Sequence, residues 1–149
     1  MKNFPVRSPN EKVGGLVYFG RMLDKIRAHA KGELPAEYQP NLGIGFDAKC
    51  CAFLHIDYGD ITERVRQGAS DDDVLEWALI TGRRPNEAEI TMWNEFMRKF
   101  AWRDHAAETL ARRKREAGME SRADIETMFQ FIDADEGREV TSDKWPVIS

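Results

Sequence analysis

The stretch SDDDVLEWALITGRRPNEAEITMWNEFMRKFAW, residues 70–102, decides the fold class because it carries two consecutive helix patterns. Ser70 and Asn86 are capping residues, and each is followed by acidic residues and by apolar residues three or four positions apart. A cap accepts hydrogen bonds from free N–H groups of the first helical turn, and carboxylates there favour the positive end of the helix dipole. Gly82 separates the two patterns. The stretch therefore predicts two short helices and an all-α protein.

Weaker patterns of the same kind extend outward from this stretch in both directions. At no point does an alternation typical of a β-strand fit the sequence better than the helical spacing. The further predicted helices run from a capping box at Ser8 to Lys31 across Gly14, Gly15 and Gly20, from Phe46 to Leu54, from Tyr58 to Gly68, over 106–118 and over 125–132.

These helices predict one irregular domain of six or seven helices over residues 1–149, with 1–7 and 138–149 as extended termini. The pattern over 86–117 fits either one long helix or two helices that break at Asp104, and both alternatives stay open. A chain of this length buries enough surface for a core of its own.

Composition and charge exclude several classes of protein. The 22 basic residues are outnumbered by 26 acidic ones, and the net charge of −4 does not favour nucleic acid or an anionic membrane. The sequence has no apolar run long enough to span a bilayer. Its amino terminus does not have the apolar segment of a signal peptide, so we expect a cytoplasmic location.

The cysteines and histidines do not show the spacing of a metal site. Cys50 and Cys51 are adjacent, which disfavours a disulfide between them and predicts two buried thiols. His29, His55 and His105 are far apart in the sequence. We therefore expect no metal ion and no cofactor, although a nucleophilic pair of a cysteine and a histidine that meet in space stays open.

Acidic residues also cluster at the end of the last predicted helix, from Asp133 to Glu136. Gly137 is the fifth residue of this segment and Lys144 the twelfth, whereas a calcium loop needs glycine at the sixth position and glutamate at the twelfth. Carboxylates at the end of a helix are unfavourable because the dipole is negative there. We therefore predict a basic partner close to this helix end.

The best functional interpretation is a helical module without enzymatic activity, which binds another protein or a second copy of itself. The many aromatic residues favour it, and we find no catalytic constellation in the sequence. Nucleic-acid binding through the basic run Arg112–Arg115 is a weaker alternative, because such a run at the end of a helix is typical of a solvated face.

The main alternative is binding or turnover of a small anionic metabolite. Its pocket would lie between the first helix, the irregular loop over 33–45 and the corner from Trp102 to Asp104. Arg21 and Arg103 would hold the anion, and an aspartate would orient it or act as a base. The candidate residues are Arg21, Asp24, Lys25, Asp47, Trp102, Arg103 and Asp104.

The sequence also resembles a family of small helical bacterial proteins that is catalogued as a domain of unknown function. The resemblance runs from about Arg7 to Arg138 and implies an α-helical domain, but it implies no established activity and no catalytic residues. The motifs that carry it are Arg7-Ser8-Pro9, Gly14-Gly15-Leu16, Arg21-Met22-Leu23-Asp24-Lys25, Gly45-Phe46-Asp47, Trp93-Asn94, Trp102-Arg103-Asp104 and Ile132-Asp133-Ala134-Asp135-Glu136-Gly137-Arg138.

Relatives in this family are sometimes labelled nucleotide-sugar epimerases, and the sequence argues against that label. Such enzymes resemble dinucleotide-binding folds, in which strands and helices alternate and a glycine fingerprint follows the first strand. Gly43-Ile44-Gly45 does not have the third glycine of that fingerprint, and no predicted strand precedes it.

Overall fold

The computed structural model describes residues 4–140, and within them it confirms the all-α class with seven α-helices. A 3-10 helix of six residues, Ala36–Asn41, lies inside the predicted 33–45 loop. Every helix in the described part is too short or too polar to cross a membrane. The α-helices are α1 (Phe19–Ala30), α2 (Phe46–Leu54), α3 (Tyr58–Arg66), α4 (Asp71–Thr81), α5 (Glu87–Lys99), α6 (Ala107–Glu116) and α7 (Met128–Asp135).

A β-hairpin replaces the first half of the predicted first helix, so that part of the prediction is wrong. Strands β1 (Lys12–Val13) and β2 (Leu16–Val17) pair antiparallel. Gly14 and Gly15 join them with φ angles of 57° and 84°. A two-residue hairpin turn of type I′ needs positive φ at both central residues, and a glycine pair supplies them without steric cost. The two glycines therefore make a turn and do not interrupt a helix.

The motif at Ser8 makes a turn instead of a helix cap. The Ser8 hydroxyl accepts a hydrogen bond from the Asn10 N–H at 3.1 Å, and the Ser8 carbonyl accepts one from the Glu11 N–H at 3.2 Å. Serine side chains stabilise turns as well as helix starts by bonding to nearby backbone N–H groups. The helix itself begins at Phe19 and ends at Ala30.

The region over 86–117 forms two helices, α5 and α6, which settles the alternative that the sequence left open. The Asp104 carboxylate accepts hydrogen bonds from the N–H groups of Ala101, at 2.9 Å, and Ala106, at 2.8 Å. It thereby closes the loop between the helices. A continuous helix would place Asp104 on the buried stripe of Trp93 and Met97, where its charge would be costly.

The described chain forms two compact units, one over Phe4–Met97 and one over residues 98–140. In the first unit α1 packs on α3 and on the hairpin, and α3 packs on α2 and α4. In the second unit α6 packs on α7. The single-domain organisation stays a prediction. Fully buried side chains of the first unit include Phe19, Met22, Leu23, Leu54, Ile61 and Val74.

The predicted extended termini lie partly outside the described residues, which exclude 1–3 and 141–149. Within the described part of the amino-terminal segment, Val6 is buried in a small cluster with Ala28 and Leu34. The segment before the hairpin is therefore packed against the first unit.

Candidate functional site

Two of the candidate residues, Lys25 and Asp47, meet in a buried polar cluster together with Tyr18. Lys25 Nζ lies 3.0 Å from Asp47 Oδ1 and donates a hydrogen bond to Tyr18 Oη at 3.1 Å. Tyr18 Oη donates to the same Asp47 oxygen at 2.6 Å. All three side chains are buried. We call these three residues the polar cluster.

The backbone explains why the three side chains meet. Tyr18 comes directly before α1, and Lys25 lies seven residues later on the same face of the helix. Asp47 lies in the first turn of α2, where the helix dipole favours a carboxylate. Its second oxygen, Oδ2, accepts a hydrogen bond from the Gly43 N–H at 3.0 Å, which ties the end of the 33–45 loop to the cluster.

Burial and charge fix the protonation of Tyr18. Its pKa is raised well above the ordinary value, first because burial disfavours the phenolate and then because the negative charge of Asp47 does so too. The phenol therefore stays neutral and acts as a hydrogen-bond donor. The cluster is an ion pair between Lys25 and Asp47 to which a neutral phenol donates a hydrogen bond.

Sequence reasoning missed Tyr18 because it placed this residue inside a helix, where a tyrosine is unremarkable. The structure instead gives it a φ of 73° at the junction between β2 and α1. The available signal was the Gly14-Gly15 pair, which is typical of a hairpin turn and would have ended the strand just before Tyr18.

The two cysteines lie on α2 beside the polar cluster, and both are free thiols and buried, as predicted. Burial raises the pKa of Cys50 well above its ordinary value, and it raises the pKa of Cys51 to about 12. Because the thiolate is the nucleophile, neither cysteine is activated for nucleophilic chemistry near neutral pH.

Arg21 and Asp24, the other candidates on α1, take part in different contacts. Arg21 is buried, and its Nη1 donates a hydrogen bond to the Arg7 carbonyl at 3.1 Å. Asp24 accepts two parallel hydrogen bonds from the Arg7 guanidinium, at 2.8 and 2.9 Å. Asp24 therefore belongs to a partly exposed ion network and not to the polar cluster.

This ion network alternates basic and acidic residues and joins α1 to the start of α4. Arg7 also lies 2.8 Å from Asp71, and Arg27 lies 2.7 Å from the other oxygen of Asp71. Burial raises the pKa of Asp71, but hydrogen bonds from Arg27 and Arg7 outweigh it, so the pKa is lowered overall. Through Arg7, the network binds the amino-terminal segment to α1 and to the start of α4.

The remaining candidates, Trp102, Arg103 and Asp104, lie in the second unit. The Arg103 guanidinium carbon is 5.2 Å from the centroid of the Trp102 ring, a cation–π contact. Asp104 binds backbone N–H groups of its own loop. The seven candidates are thus divided between the two units. Lys25 and Asp47 meet in the polar cluster, and the charge of Arg21 acts on Tyr18 of that cluster. Asp24 belongs to the ion network, and the other three lie in the second unit.

The predicted basic partner at the end of the last helix is confirmed. Arg138 Nη1 lies 3.2 Å from the Asp133 carboxylate and 2.5 Å from that of Glu136, and both acids are buried. Across residues 4–140, no group of three or more histidine, cysteine or acidic side chains is placed to hold a metal ion.

The second feature of functional interest is the outer face of α5. Ala88, Met92 and Phe96 are four residues apart and lie on this face, and we call them the outer stripe. Met92 is 63% exposed and Phe96 is 47% exposed. Phe96 lies only three residues from the buried Trp93, and spacing alone does not reveal which apolar face of a helix is covered.

One family model covers almost the whole described chain. It is described as a domain of unknown function, DUF5069, and it matches residues 3–138. The chain belongs to this family. The match includes both compact units, all seven candidate residues and the outer stripe. Among curated proteins, no sequence matches the chain.

Proposed function

We propose that this DUF5069 protein is a self-associating interaction module and that the outer stripe of α5 is its docking surface. The observation that carries the proposal is the exposure of Met92, 63%, on the same helix face as the half-exposed Phe96. Large apolar side chains that share an exposed face are typical of binding surfaces, because covering them in a complex removes apolar area from water.

The first unit holds α5 firmly from its opposite face. Trp93 is buried, stacks on Phe53 with ring centroids 4.8 Å apart, and donates a hydrogen bond from Nε1 to the Val17 carbonyl at 3.1 Å. Met97 is completely buried. A helix that is apolar on two faces is typical of one that packs on both sides, and a fixed helix loses little entropy when it binds.

A second copy of the chain is the partner that this helix fits best. Two copies can pair through one patch related by a two-fold axis, so a single self-complementary stripe is sufficient. The first turn of α5 contains Glu87, and its last turn contains Arg98 and Lys99. Glu89 in the same first turn already pairs with Arg83 at 3.1 Å, so Glu87 supplies the acidic charge of this end. Antiparallel pairing places the acidic end of one helix near the basic end of the other, which favours this register.

The contacts of the polar cluster support a structural role for its residues. Lys25, Asp47 and Tyr18 hydrogen bond to one another in the interior of the first unit. Truncation of one member of such a buried pair is costly because the remaining charge loses its partner. We also propose a cytoplasmic location, which the free thiols of Cys50 and Cys51 favour.

The experiment that tests the proposal is sedimentation velocity over a wide range of protein concentration. We expect the wild-type protein to form dimers and Met92→Glu to weaken them by about tenfold or more, because the substitution places a charge in the stripe. Ile44→Glu is the matched control, since Ile44 is also apolar and exposed but lies outside α5. A wild-type protein that stays strictly monomeric up to about millimolar concentration overturns the proposal.

The anionic-metabolite alternative is favoured by one observation, the burial of two cations, Arg21 and Lys25, on adjacent turns of α1. It predicts that a small anion raises the melting temperature of the wild-type protein and that Arg21→Ala abolishes the rise. An anion-dependent rise that this variant retains would contradict the assignment of Arg21 as the anion-binding residue.

A further inference from the structure

We infer that Met92 is a site of reversible oxidation by peroxide and that this oxidation dissociates the dimer of two copies of the chain. The inference rests on the proposed function, since it assigns a means of control to the same outer stripe. Methionine is an apolar side chain whose thioether oxygen-transfer oxidants convert into a polar sulfoxide. A methionine in a docking surface therefore makes that surface sensitive to oxidants.

Exposure singles out Met92 among the methionines of the described residues. Met92 is 63% exposed, whereas Met22, Met97 and Met128 are buried. Met119 is partly buried and lies in the second unit, outside the stripe. Because access of the oxidant to sulfur controls the rate, we expect Met92 to react before the buried methionines.

The cysteines do not compete strongly for the oxidant. Cys50 and Cys51 are buried in α2, and burial raises the pKa of both thiols, so the reactive thiolate is scarce near neutral pH. In the unpaired chain, which is in equilibrium with the dimer, a dilute peroxide therefore meets the Met92 thioether on the surface while the thiols stay protonated in the interior.

The chemistry is a two-electron oxygen transfer. The Met92 sulfur attacks one oxygen of hydrogen peroxide, and an S–O bond forms as the O–O bond breaks. The attacked oxygen loses its proton, and the second oxygen takes up that proton and leaves as water. The sulfur is oxidised to a sulfoxide and the peroxide is reduced. A dithiol reverses the step by supplying two electrons, and it becomes a disulfide while the sulfoxide oxygen leaves as water.

The sulfoxide weakens pairing because it puts a strong hydrogen-bond acceptor into an apolar contact. In the free chain the sulfoxide oxygen is hydrated, since the side chain is exposed. Pairing removes that water, and the flanking side chains of the stripe, Ala88 and Phe96, are not hydrogen-bond donors. A buried polar group without a partner is unfavourable, so the oxidised chain prefers to stay separate.

The test treats the wild-type protein with hydrogen peroxide and follows both chemistry and association. Peptide mass mapping locates the added oxygen, with Met97 as an internal buried control on the same helix, and sedimentation velocity measures the dimer. We expect oxygen at Met92 first and a dissociation constant that rises about tenfold or more. Met92→Leu keeps the stripe apolar and has no sulfur, so its dimer should not respond to peroxide. Met92→Gln imitates the sulfoxide and should be weakly paired without treatment.

Each other outcome overturns a separate part of the inference. A Met92→Leu dimer that dissociates in peroxide as the wild type does assigns the effect to another residue. Oxygen that appears first at Met97 or Met119 removes Met92 as the sensitive site. Dimers that persist after complete oxidation of Met92 would show that oxidation does not regulate pairing, while the proposed function stands. An untreated wild-type protein that is monomeric removes the proposed function, and the mass mapping then still decides whether Met92 is a modification site.

Discussion

Tyr18 has a backbone conformation that non-glycine residues rarely adopt. Its φ of 73° costs about 1–3 kcal/mol, and such strain persists only where surrounding contacts outweigh it. The Tyr18 N–H donates a hydrogen bond to the Pro9 carbonyl at 2.9 Å, and its hydroxyl bonds to Asp47 and Lys25. The polar cluster therefore holds the junction between the hairpin and α1 in place, and its buried charges stabilise a strained turn.

The raised pKa of Tyr18 predicts a loss of stability at alkaline pH. The unfolded chain releases the phenol proton above about pH 10, whereas the folded chain retains it, so the folded state binds more protons there. This contribution to stability is fully present below about pH 10 and is lost as the pH rises through the folded pKa, at up to about 1.4 kcal/mol per pH unit. Urea unfolding at a series of alkaline pH values measures it.

Tyr18→Phe separates this proton from the other groups that ionise at alkaline pH. The variant should be less stable at neutral pH because Asp47 loses a hydrogen bond, but its stability should fall less steeply above about pH 10. Tyr58→Phe should also make the free energy of unfolding fall less steeply with pH, since burial raises the pKa of Tyr58 as well. A Tyr18→Phe profile as steep as that of the wild type would contradict the assigned protonation.

At the scale of elements, local sequence signals placed most helices correctly and failed where a distant side chain decides the structure. Ser70 caps α4 by accepting a hydrogen bond from the Asp73 N–H, as a local pattern predicts. The hairpin depends on α5 instead, because Asn94 Oδ1 accepts from the Val17 N–H and its Nδ2 donates to the Gly15 carbonyl. The Gly14-Gly15 pair is a local signal for the turn, but nothing near the hairpin encodes its partner Asn94, almost eighty residues away.

The two glycines of the hairpin turn offer a matched pair of substitutions. Both have positive φ, so alanine at either position is strained by about 1–2 kcal/mol. A methyl group at Gly14 would also overlap Leu75 Cδ2, whereas one at Gly15 would lie 3.9 Å from its nearest neighbour, Ile90 Cγ2. Gly14→Ala should therefore be the more destabilising by about 1–3 kcal/mol in urea unfolding. If the two variants lost equal free energy of unfolding, the Leu75 side chain would have moved aside without a cost in stability.

At the scale of the molecule, caps and the helical spacing of apolar residues predicted the all-α class correctly, but they did not determine which side chains lie on the surface. Helical spacing of apolar residues gives the same pattern whether a face is buried or exposed, so the sequence alone did not distinguish the exposed Phe96 from the buried Trp93. The site residues show the same limit. Lys25 and Asp47 were candidates by their charge, but that they pair with each other depends on how α1 and α2 pack.

Salt dependence distinguishes an apolar docking surface from an electrostatic one. If pairing rests on the outer stripe, raising the salt concentration from about 0.1 M to about 1 M screens only the charges at the ends of α5 and should change the dissociation constant by less than about tenfold. Binding of nucleic acid through the four basic residues Arg112–Arg115 would instead weaken by more than about a thousandfold, because phosphate contacts release counterions. Sedimentation of the protein alone measures the salt dependence of dimer dissociation, and fluorescence titration with a labelled oligonucleotide measures that of nucleic-acid binding. Dimers that dissociate as steeply as a nucleic-acid complex would assign the contact to ion pairs and not to Met92 and Phe96.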